Sequence, residues 1–178
     1  MQDFSFDIHG NIEPYQIIRC TNFEYLERFF VDKFSNSNTR SVIFNGFLRY
    51  IYDLREVIGN EWTIWIDGSF TTKKLNPEDI DILNIFDWNE TINSQMNFLS
   101  ENFWSDNSKK KYSVDGYFLP VYSEHDERNI DTIEGRKYWK DWFGNTSEAT
   151  LGQRRAKGII EIEVKFNDAL IEFINTRI

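Results

Sequence analysis

The chain has 178 residues, close to one domain and short for two. With 40% hydrophobic and 17% aromatic residues it has material for a packed core, which excludes global disorder. A net charge of −9 argues against general duplex-DNA binding, because phosphate contacts need a basic face, yet a local basic pocket remains compatible with it. The single cysteine, Cys20, excludes a disulfide framework and a Cys-rich zinc site. The polar, acidic start reads as neither a signal nor a transit peptide. No apolar run approaches the ~20 residues that cross a bilayer, so no membrane association and a reducing, cytoplasmic setting are expected.

Residues 1–20 read as an arm or short strand, with 15–19 the most extended piece. A helix is expected from Thr21, where Thr21 and Glu24 have capping-box spacing and Phe23, Leu26, Phe30 and Phe34 follow a helical period. The strongest helix has Phe44, Phe47, Leu48, Ile51, Leu54 and Ile58 on one face, with Gly59 as its C-cap. Residues 62–67 then read as a strand, 71–78 as a polar loop and 79–86 as a second strand. Ile92, Met96, Leu99 and Phe103 mark another helix. Residues 112–121 read as a third strand, 123–136 as a charged loop, 138–143 as a short aromatic helix, 158–164 as a fourth strand and 167–175 as a closing helix. The sum is one α+β domain: a small mixed β-sheet with helices packed mainly on one face.

The chemistry concentrates in Trp65-Ile66-Asp67-Gly68-Ser69-Phe70 and Pro77-Glu78-Asp79-Ile80-Asp81-Ile82. Asp79 and Asp81, two apart on a strand, put two carboxylates on one face. Their repulsion is relieved by a divalent cation, and magnesium favours carboxylates combined with substrate phosphates. Gly68 lets a phosphate approach the backbone, and the Ser69 hydroxyl can donate to it. Asp115 lies inside an apolar strand, where a charge is costly unless paired or metal-bound, and is the candidate third carboxylate. Such a trio suits two-metal phosphoryl or nucleotidyl transfer. Lys73 and Lys74, in the intervening loop, read as solvated side chains or as phosphate contacts. Arg154, Arg155 and Lys157 form the densest basic run and read either as a solvated turn or as triphosphate contacts, Lys157 foremost because it directly precedes a strand. Trp139, Trp142 and Phe143 read as packing before base stacking. His9 and His125 have no partner at ligand spacing.

Gly-Ser, nine residues, Asp-x-Asp and a later strand carboxylate resemble the signature of DNA-polymerase-β-like nucleotidyltransferases. The longer series resembles a compact bacterial and phage group of that superfamily. It runs from the Arg-containing helix at 40–58 through Asn76-Pro77-Glu78-Asp79-Ile80-Asp81 to Tyr138-Trp139, Phe143-Gly144 and Arg154-Arg155-Ala156-Lys157-Gly158-Ile159. Asp67 directly before the glycine is usual in that compact group. The resemblance implies Mg2+ (or Mn2+) on Asp79, Asp81 and Asp115. It also implies an NTP substrate, ATP foremost, held by Gly68 and Ser69. The reaction it implies is transfer of a nucleoside monophosphate to a hydroxyl of a protein, a nucleic-acid end or a nucleotide. A toxin–antitoxin or anti-phage setting accompanies it. The competing expectation is a catalytically silent nucleotide-binding or antitoxin-type protein on the same fold.

Overall fold

The computed structural model describes residues 4–146 and 152–178. Strands β1 (Ser5–Phe6) and β2 (Ile12–Glu13) make a small antiparallel ribbon. They lead into β3 (Ile17–Cys20), then α1 (Phe23–Phe30) and α2 (Arg40–Ile58). Next come β4 (Glu61–Asp67), β5 (Ile80–Asp87), α3 (Glu90–Ser94), α4 (Met96–Phe103), α5 (Ser105–Tyr112) and β6 (Val114–Val121). The chain closes with α6 (Asn129–Phe143), β7 (Ile159–Lys165) and α7 (Asp168–Asn175).

Five strands form one mixed sheet in the order β3-β7-β4-β5-β6. Both outer pairs, β3/β7 and β5/β6, are parallel, while β4 runs antiparallel to β7 and β5. A parallel neighbour needs a crossover, and α3, α4 and α5 supply it between β5 and β6. Strand side chains alternate between faces. Ile64, Ile66, Ile80, Ile82, Ile160 and Ile162 therefore all enter the main core, beneath Phe44, Phe47, Leu48, Ile51 and Leu54 of α2. Within it Asn84 is fully buried and satisfied: its amide donates to Tyr50 Oη (2.9 Å) and Tyr117 O (3.1 Å) and accepts from Trp62 Nε1 (3.1 Å). Tyr50 Oη in turn donates to Phe103 O at 3.0 Å.

The α+β architecture and the mixed sheet agree with the sequence reading, with several local corrections. The N-cap of α1 is Asn22, whose side chain accepts from Tyr25 N, and not Thr21. The helix expected across Ile92–Phe103 is broken into α3 and α4. Tyr112 ends a helix instead of opening a strand. Helix α5, Ser-Asp-Asn-Ser-Lys-Lys-Lys-Tyr, lacks an apolar stripe and buries only Ser108 and Tyr112. Residues 129–136, read as loop, are the first half of α6. That helix lies on the opposite face from the others, where Phe143 joins Trp65, Leu83, Ile85, Leu119 and Ile159 in a second, smaller core.

Candidate active site

Strand β4 ends on Asp67, and the residues two before it and two after Asp81 and Asp115 are Trp65, Leu83 and Tyr117, all in or against the second core. By the two-residue period the three aspartates face the same side as α6. Register aligns them: Asp67 stands opposite Asp81, and Asp81 beside Asp115. With strands ~4.8 Å apart, three carboxylates form one row across β4, β5 and β6. Asp79 lies one residue before β5 rather than inside it, as the sequence reading had it.

Immediately after the row, Gly68 turns the chain with φ +82°, and a Cβ there would fall 1.6 Å from Asp81 Oδ2. Only glycine fits, for sterics and for backbone alike. A single 3-10 turn, Ser69–Thr71, follows. It is tied locally by Thr71 Oγ1 donating to Gly68 O (3.1 Å) and Thr72 Oγ1 donating to Ser69 O (2.8 Å). From behind it is held by Arg40, a fully buried guanidinium with no carboxylate partner among the described residues. Arg40 donates to the carbonyls of Phe30 (2.8 Å), Phe70 (2.7 Å), Thr72 (2.7 Å) and Lys74 (2.7 Å), and lies 3.8 Å from the Phe34 ring centroid. Burial lowers its pKa to about 10. Arg40 thus ties the Ser69 loop at three of its carbonyls, those of Phe70, Thr72 and Lys74, to the end of α1. The sequence could have flagged it as a cation at the start of a long helix with an apolar face.

The row is electrostatically strained. Burial first, then the negative charges of Asp67, Asp79 and Asp115, raise the Asp81 carboxyl to about 7, against a smaller lowering by Lys157. Asp67 is also raised, because burial outweighs its pairing with Lys157. The Oδ1 atoms of Asp67 and Asp115 are buried without a hydrogen-bond partner. Orphaned carboxylate oxygens beside a carboxyl that resists ionising are what a nearby positive charge would relieve. Two lysines supply positive charge to the cluster: Lys157 Nζ donates to Asp67 Oδ2 at 2.7 Å, and Lys109 of α5 is bonded to Asp79. Among the described residues no three acidic, His or Cys side chains are gathered as a ready metal cage.

Of the residues expected at the site, Gly68, Ser69, Asp79, Asp81, Asp115 and Lys157 come together, and Asp67 joins them although the sequence reading had left it out of the site. Its signal was a charged residue closing an apolar strand directly before Gly68. Lys73 and Arg154 are engaged elsewhere. Lys73 N donates to Gly10 O (2.8 Å) and its ammonium lies 5.7 Å from the Phe6 ring centroid, against the N-terminal ribbon. Arg154 donates to the carbonyl and carboxylate of Asp141 on α6, both at 3.0 Å. Arg155 N donates to Thr146 Oγ1 (2.9 Å). A cleft of about 480 Å³ at the β3–β7 edge, lined by Arg19, Cys20, Glu161 and Lys165 among others, contains none of the aspartate row.

The chain belongs to the DUF6932 family, described as a family of unknown function, whose pattern it matches over residues 4–163. No curated protein and no solved structure matches it.

Proposed function

We propose that this member of the DUF6932 family is a magnesium-dependent nucleotidyltransferase. The observation that carries the reading is the row Asp67–Asp81–Asp115 across three adjacent strands, with the Gly68-Ser69 turn at its end. The polymerase-β-like resemblance supports the same reading through the residues they share, Gly68, Ser69, Asp81 and Asp115.

Asp79, Asp81 and Asp115 would hold the divalent metal, which when bound neutralises triphosphate charge and eases ionisation of the acceptor hydroxyl. The chain's own groups divide the remaining work. Ser69 Oγ and the backbone N–H groups of its turn donate to phosphate oxygens. Asp115, with an unpartnered oxygen, accepts the proton of the acceptor hydroxyl. Lys157 is close enough to Asp67 to shift between that carboxylate and a phosphate. In the reaction an acceptor oxygen bonds the α-phosphorus of the NTP, the bond to the bridging α–β oxygen breaks, and pyrophosphate leaves with that electron pair.

The deciding experiment supplies each α-labelled NTP and dNTP with Mg2+ and resolves label in protein, nucleic-acid and soluble products. Label transfer that disappears in Asp81→Asn is the expected result. No transfer together with calorimetry showing no metal-dependent NTP binding would sink the reading. A second reading, a nucleotide-binding protein without turnover, is favoured by one observation: Lys109 and Lys157 already engage two of the four carboxylates. Metal-dependent NTP binding without label transfer would select it.

A further inference from the structure

The two lysines of the carboxylate cluster are not equivalent. Lys157 and Asp67 shut each other away from water, with side chains 8% and 6% exposed. Lys109 is bonded to Asp79 with 43% of its own side chain in solvent. Its backbone, by contrast, is fixed from three directions. Tyr112 Oη donates to Asp53 Oδ2 of α2 (2.7 Å), Gly116 N of β6 donates to Ser108 Oγ (3.2 Å), and Ile80 N, at the start of β5, donates to Ser113 O (3.1 Å). Ser113 caps α5 in the left-handed region, at φ +59°, and turns the chain directly into β6. Three lysines close α5, where cations suit a helix C-terminus. They part company there. Lys111 lies 4.6 Å from the Tyr112 ring centroid and 3.9 Å from Asp53, Lys110 is exposed, and Lys109 is the one of the three that is bonded to the cluster.

Topology decides what this lysine can meet. Strand β5 lies between β4 and β6, so the Ser69 turn, which follows β4, and the end of α5, which leads into β6, flank the start of β5 from opposite sides. Asp79 stands between them. We propose that Lys109 is a substrate-binding residue of this site: its ammonium neutralises Asp79 while no nucleotide is bound, and moves to the triphosphate tail of an NTP seated on the Ser69 turn. The triphosphate end of this exchange rests on the transferase reading above. A half-solvated ion pair is weak and changes partners at little cost, whereas a buried one does not. A lysine ammonium is a point charge on a flexible stem with three donors, so it can follow phosphate oxygens that shift as pyrophosphate leaves. Once Asp79 serves the cation that accompanies the nucleotide, the ammonium it releases lies beside those oxygens. The Lys109–Asp79 pair is then the resting state of a working site.

The test is calorimetry on wild type, Lys109→Met, Lys109→Arg and Lys110→Met, titrated with Mn2+ alone and with each NTP in the presence of Mg2+. Methionine is a good helix former and position 109 is half in water, so α5 keeps its structure. Lys109→Met should bind Mn2+ more tightly than wild type, because Asp79 is freed. It should bind Mg–NTP about ten- to a hundredfold more weakly, because a charge-assisted bond to phosphate is lost. These shifts have opposite signs, and a lysine that only held the fold would weaken both. Lys109→Arg keeps the charge and should recover most of the NTP affinity. Lys110→Met removes the same charge from the neighbouring, exposed position and should match wild type in both titrations. Undiminished Mg–NTP binding by Lys109→Met overturns the assignment and leaves the transferase reading standing. So does Mn2+ binding that Lys109→Met leaves unchanged or weakens, or a loss in Lys110→Met equal to that in Lys109→Met. Wild type that binds no Mg–NTP overturns the transferase reading, and this assignment with it.

Discussion

Lys157 Nζ lies 2.7 Å from Asp67 Oδ2, with both side chains less than a tenth exposed. It is the buried ion pair of the site, formed between the end of β4 and the approach to β7. Asp67 is nevertheless held above its ordinary value by burial, which outweighs the lysine. Removing one partner of a buried pair leaves an uncompensated charge, costing roughly 3–5 kcal/mol. Lys157→Met should therefore lower stability strongly at pH 8 and less at an acid pH, since a raised Asp67 takes up a proton more readily, and Asp67→Asn should recover part of the loss in the double variant. Urea unfolding of the full double-mutant cycle at the two pH values checks this. Equal losses at both would mean that Lys157 contributes packing rather than charge.

Asp81 gives the chain a pH signature. Its folded pKa is raised from 3.8 to about 7. While both states keep the proton the raised carboxyl costs the fold nothing; as pH rises the unfolded chain ionises first, and the folded state is penalised. Stability from this group is thus fully present below about pH 4 and falls as pH rises to about 7. At 1.36 kcal/mol per unit the loss is up to roughly 4 kcal/mol, reduced by the solvent that still reaches the side chain. Asp81→Asn should be more stable than wild type at pH 8 and lose that advantage near pH 4, and Mg2+ should stabilise wild type at pH 8 but not the variant. Melting curves across that range decide it, and parallel curves for the two proteins would refute the shift.

The turn after β4 separates steric from chemical roles. Gly68→Ala places a Cβ 1.6 Å from Asp81 Oδ2 at a backbone φ of +82°, so it should disturb both the fold and Mg–NTP binding. Ser69→Ala removes only a hydroxyl. One charge-assisted hydrogen bond is worth ~1.5–3 kcal/mol, so turnover should fall on the order of ten- to a hundredfold with melting unchanged. Wild-type turnover in Ser69→Ala would leave Ser69 as a turn residue only.

Arg40 should tolerate no replacement. Lysine keeps the charge but not the planar fork that reaches four carbonyls. Arg40→Lys is expected to cost on the order of 3 kcal/mol and to speed hydrogen exchange at the Thr72 amide, which bonds Ser69 O, ahead of the sheet amides. Uniform acceleration throughout the protein would show that Arg40 serves the whole core and not this loop.

What the sequence by itself determined is what depends on local period and short spacing. The apolar face of α2 with its Gly59 cap, the three site-bearing strands to within two residues, and the Gly68-Ser69 and Asp79-x-Asp81 motifs all come from neighbours along one chain, where alternation dictates which side chains share a face. Helices α5 and the first half of α6 escaped because neither has a continuous apolar stripe; each is held by a few contacts, such as Tyr112 under Tyr50 and Thr132 Oγ1 donating to Pro120 O. The tertiary structure alone decided that Asp67 completes the carboxylate row, that Lys73 and Arg154 are engaged elsewhere, and that Arg40 carries the Ser69 loop, whereas Lys157 at its strand start was legible in the sequence. These relations join residues distant in the chain. They follow from the register of β4 against β5 and β7, set by cooperative burial of both sheet faces, which no local pattern encodes.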